Sequence, residues 1–106
     1  MINFRPKKFL NYLPQGTYQG FIDKLEYYEE KGYFAMNILV DNQIFNTAFS
    51  VNSIIFNNYA SNFVDENGCL DETQIIDTEV KFTVVDNQTS GEDKSRVTAL
   101  EPVYED

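Results

Sequence analysis

The chain contains no histidine and a single cysteine, Cys69. Those two scarcities remove much of the catalytic repertoire. Within one chain, neither a His-activated nucleophile nor a zinc set built from Cys and His can be assembled. One cysteine also rules out an intramolecular disulfide, and with it the secreted disulfide scaffold, so a reducing cytoplasm is the expected compartment. Long apolar runs are missing as well: no segment approaches the ~18–20 residues of a membrane span, and Arg5, Lys7 and Lys8 have no apolar stretch behind them that would make a signal peptide. A soluble protein with no membrane partner follows. Carboxylates are plentiful, yet none sits in an apolar frame that would separate two pKa values by burial. The expectation is a non-enzyme without cofactor or metal.

Bases are scarce too, eight Lys and Arg against seventeen Asp and Glu, for a net charge of −9. The first sixteen residues hold Arg5, Lys7 and Lys8 and no acid, so residues 17–106 carry five bases against seventeen acids, a net of −12. Such a field repels duplex phosphate and favours basic partners, although a local basic patch can still hold a single strand. Solubility alone is the plainer reading of the same charge.

What the chain has in abundance is rings. Nine Phe and seven Tyr in 106 residues, within a hydrophobic content of 42%, argue for one compact domain with an aromatic core. Residues 1–16 read as a basic, aromatic arm, 17–103 as the domain and 104–106 as an acidic tail. From Thr17, Tyr18, Gly20 and Ile22 share one face of a strand. The phase then shifts to Leu25, which predicts a bulge near Asp23 and Lys24, with Gly20 at a bend. Phe34, Met36, Ile38 and Val40 alternate on a second strand, and "QIFNTAF" makes a third. The period then changes: Ile55, Phe56, Tyr59, Ala60 and Phe63 fall on one helical face, with Ser50, Asn52 or Ser53 as N-cap. "TQII" makes a short helical turn, "EVKFTVV" a fourth strand, 86–94 a flexible loop, and "SRVTALEPV" a last strand ended by Pro102. This β-β-β-α-β-β order, mainly β with one helix, is that of a five-stranded OB-like barrel, the alternative being a roll or open sheet with one helix packed on it.

Two local clusters carry residue types that could do chemistry. Residues 65–72, "DENGCLDE", carry four acids, but Gly68 is the fourth position of that run and a calcium loop needs glycine at the sixth, so a solvated loop is expected. Cys69 within it reads as a packing residue. In "LEYYEEKGYFAM", alternation sends Phe34 to the core and leaves Tyr33 on the other face, with one of Tyr27 and Tyr28 structural and the other exposed.

The stretches "LPQGTYQGFIDKLEYYEEKGYFAMNILVD" and "DTEVKFTVVDNQTSGEDKSRVTALEPV" resemble the opening and closing strands of small OB-fold proteins from phage and prophage replication regions, over most of residues 13–103. The resemblance implies single-stranded DNA binding, or an accessory role in phage DNA replication or recombination, in the host bacterial cytoplasm. Cations and rings then assign phosphate contact to Arg5, Lys7, Lys8, Lys24 and Lys31 and base stacking to Tyr27 and Tyr33. No Lys or Arg lies between Tyr33 and Phe49, on the strands that usually bind. That gap keeps a second expectation in view: an acidic, protein-directed inhibitor that contacts the basic surface of a host nucleic-acid-binding defence enzyme.

Overall fold

A computed structural model describes residues 1–4, 6–89 and 92–104. Arg5 and the end of the expected acidic tail, Glu105 and Asp106, lie outside the described residues. The described chain is mainly β with one short helix: β1 (Lys8–Leu10), β2 (Gly16–Tyr28), β3 (Tyr33–Val40), β4 (Gln43–Ser50), α1 (Ile54–Ala60), β5 (Glu79–Thr89) and β6 (Glu92–Pro102). The strands form one six-stranded sheet in the order β1-β4-β3-β2-β5-β6, with β1 and β6 at its two ends.

β2 organises the sheet. Its first half pairs antiparallel with β5, from Gly16 opposite Val84 to Phe21 opposite Glu79. Its second half pairs with β3, from Phe21 opposite Leu39 to Tyr28 opposite Tyr33. The expected bulge is present as a register shift between Ile22 and Lys24. Gly20 sits at the crossing. A Cβ there would overlap the Leu39 carbonyl oxygen and lie 3.0 and 3.1 Å from the Cγ2 atoms of Ile38 and Val40. The bend therefore depends on the absent side chain.

The bend folds the sheet's inner face around a core that includes Ile22, Leu25, Met36, Ile38, Phe45, Val80, Phe82 and Val84. Val80, Phe82 and Val84 are fully buried, as the alternation in "EVKFTVV" predicts. Helix α1 covers the open end with Phe56, Tyr59 and Ala60. Its N-cap is Ser53, whose hydroxyl accepts from the Phe56 N–H at 3.2 Å. Rings knit the layers: Phe56 stacks on Phe34 at 4.5 Å and on Phe49 at 5.4 Å, and Phe82 lies between Tyr18 and Phe45 at 5.8 and 5.6 Å.

The N-terminal arm packs on the body through residues 8–13, and what the sequence does not show there is a strand: Lys8–Leu10 is a sixth strand, parallel to β4, with Leu10 opposite Phe45. Past it, the Asn11 carbonyl accepts from Ser95 N–H at 3.1 Å. The Ser95 hydroxyl accepts from Leu13 N–H and donates to the Leu13 carbonyl, both at 2.8 Å. Leu13 is buried. The segment thus spans from the β4 edge to β6 and satisfies backbone groups that an unpaired β4 edge would leave open. Residues 86–89 and 92–94 of the expected loop are likewise strand, because β5 and β6 stay paired from Asp86 opposite Ser95 to Thr89 opposite Glu92, while Ser90 and Gly91 lie outside the described residues. Their polar composition reads as a loop, yet the antiparallel ladder supplies the pairing regardless of side chain.

Candidate functional site

Cross-strand partners share a face, so the register of β2, β3 and β4 lays out the outer surface residue by residue. Tyr28, Tyr33 and Ser50 form one row, Glu26, Ala35 and Ala48 the next, Lys24, Asn37 and Asn46 the third, and Phe21, Leu39 and Ile44 the fourth. Phe9 of β1 adjoins Ile44. The centre of this face is shallow because Ala35 and Ala48 are small. A groove of about 360 Å³ opens over it, lined by Tyr33, Ala35, Asn46, Ala48, Asn11 and Lys94. Arg96 stands on the adjoining stretch of β6, beside Ser50 and Ser53. Tyr33 is half-buried and its ring stacks on Tyr28 at 4.9 Å at the rim of the groove.

One predicted phosphate contact is already engaged. The Lys24 ammonium lies 2.5 Å from Glu26, and the same carboxylate accepts from the Tyr28 hydroxyl at 2.5 Å. The shifts agree with that geometry. Hydrogen bonding and charge from Glu26 raise the Lys24 pKa, hydrogen bonds from Lys24 and then Tyr28 lower that of Glu26, and the bond to Glu26 raises that of Tyr28. Lys24 is thus locally neutralised.

The remaining predicted residues do not gather. Tyr27 stacks on Phe34 at 4.6 Å and so belongs to the inner face, opposite Tyr33. Lys31 sits in the β2–β3 turn, where its N–H donates to the Tyr28 carbonyl at 3.1 Å. Lys8 pairs with Gln43 and Tyr33 with Ser50, so they stand at opposite ends of β4, roughly 23 Å apart at the usual strand rise. Lys7 is exposed and precedes β1, and Arg5 lies outside the described residues. Sequence reasoning missed Lys94, which lines the groove with Tyr33, and Arg96, on the adjoining stretch of β6. Their alternation within "KSRV" puts both on one side of a strand, a signal hidden by reading 86–94 as a loop.

On the inner side, Leu25, Tyr27, Phe34 and Leu70 line a second cleft, of about 760 Å³, between the hairpin and the 65–72 loop, with Cys69 and Glu72 exposed at its rim. That loop is closed by its own chain. Asp65 Oδ1 accepts from the N–H groups of Asn67 and Cys69, each at 2.9 Å, and no group of three or more acids, Cys or His among the described residues is placed to hold a metal ion. No helix among the described residues is long and apolar enough to cross a membrane. Comparison of the chain with protein-family models, with curated proteins and with solved structures finds no match.

Proposed function

We propose that the protein is a non-enzymatic OB-like module that binds single-stranded DNA across the outer face of β2, β3 and β4. The strand order supports the OB-like reading: β2 is bent and shared between β3 and β5, and the helix falls between β4 and β5. On this reading the N-terminal strand β1 and the Asn11–Leu13 contacts to Ser95 bridge the gap between β4 and β6 that leaves the sheet unclosed. The observation that carries the function is the Tyr28–Tyr33 stack at the edge of a shallow, small-residue groove that Lys94 borders, with Arg96 close by. A base stacks on Tyr33 over Ala35 and Ala48, and the backbone follows β6, where cations replace those the inner strands lack. Base–aromatic stacking contributes roughly 1–3 kcal/mol per base. The phage-replication setting that the sequence resemblance implies fits an accessory role of this kind.

Fluorescence anisotropy of a labelled single strand, with a duplex of the same sequence as control, tests the reading. Salt-sensitive binding to the single strand alone is expected, and no binding at low salt contradicts it. A second reading, contact with a basic protein, is supported by Glu26 and Glu72, acids that line the inner cleft, whereas no acid among the described residues lines the outer groove.

A further inference from the structure

The inner cleft has a built floor. Tyr27 is 55% exposed, yet its ring is held against Phe34, which stacks in turn on Phe56 in the core. Leu25 and Leu70 complete an apolar surface that is backed by packed side chains. Among the described residues, the charged side chains that line it are both acids, Glu26, which also pairs with Lys24, and Glu72. The 65–72 loop that bounds it supplies Asp65, Glu66, Asp71 and Glu72 and no base. A second copy of a chain with net charge −9 is repelled from such a rim, and a nucleic acid more strongly still.

We propose that this cleft docks a segment of a partner protein presenting an apolar or aromatic side chain flanked by lysine or arginine. The anchor fills the floor between Tyr27 and Leu70, and the flanking cations meet Glu72 and its acidic neighbours. A desolvated anchor inside a charged rim is the arrangement in which a few residues carry most of a binding energy. The proposal rests on the protein-contact reading of the acidic end and is independent of single-strand binding on the opposite face.

The chain has no tryptophan, so a synthetic peptide with one Trp between pairs of Lys and Arg reports its own burial by emission. With the native protein, a saturable blue shift is expected, and the same peptide with Ser for Trp should fail to compete. Tyr27→Ser, Glu72→Lys and alkylation of Cys69 with N-ethylmaleimide should each weaken binding by about tenfold, or ~1.4 kcal/mol. Tyr33→Ala should leave it unchanged. If the peptide binds the native protein and all three altered forms equally, the cleft is not the site, although contact with basic proteins survives. If neither this peptide nor oligolysine binds, the protein-contact reading fails and the cleft proposal with it.

Discussion

Tyr27 and Tyr33 stand on opposite faces of the β2–β3 hairpin, the first stacked on Phe34 and the second on Tyr28. The two tyrosines therefore report on different surfaces. Tyr33→Ala should weaken single-strand binding by about 1–3 kcal/mol, while Tyr27→Ala should leave it within error. Titration of both variants against one labelled strand, with circular dichroism to confirm the fold, checks the split.

Gly20 is the position at which β2 passes from β5 to β3, and a side chain there meets β3 backbone. Gly20→Val should destabilise the protein by about 3 kcal/mol or more, through overlap with the Leu39 carbonyl that no rotamer relieves. Urea unfolding measures it. A variant as stable as the native chain would show that the bend does not need the close approach.

Ser95 bolts the N-terminal segment to β6 through both polar groups of Leu13. Ser95→Ala should cost about 1–3 kcal/mol by leaving the part-buried Leu13 groups without this partner. Amide exchange should quicken at Leu13 and in β1 before it does in β3. Uniform quickening would mean that the segment and the sheet open together.

The Tyr59 hydroxyl is buried and has no hydrogen-bond partner among the described residues. Burial pushes its pKa up to about 12, with the Thr78 hydroxyl close enough to soften the shift without completing a bond. Between pH 10 and 12 the unfolded chain gives up this proton and the folded one keeps it, so stability from Tyr59 is complete below pH 10 and is lost as pH rises. Tyr59→Phe should match or exceed native stability at pH 7 and show a flatter decline above pH 10, read from denaturant midpoints across that range.

Much of the fold was legible because it lies in alternation. Val80, Phe82 and Val84, the Ile22-to-Leu25 phase shift and the Phe56–Tyr59–Ala60 face each state their element in the order of apolar residues. The N-terminal strand was not legible, since three residues carry no usable period and Lys8–Leu10 is set by the free edge of β4. The site was half legible for the same reason. Tyr33 follows from alternation, but its neighbours Asn11, Ala48 and Lys94 come from three separate segments that only the sheet order brings together. Residue type alone grouped Lys7 and Lys8 with Tyr33, and the register along β4 separates Lys8 from it.

The most direct test of the central claim compares the native protein, Tyr33→Ala and Arg96→Glu in anisotropy titrations with a ~20-nucleotide single strand at low and physiological salt. The account predicts that the native protein binds, that both variants weaken binding, and that Arg96→Glu also flattens the salt dependence. Native binding that neither variant alters would contradict the outer face as the site.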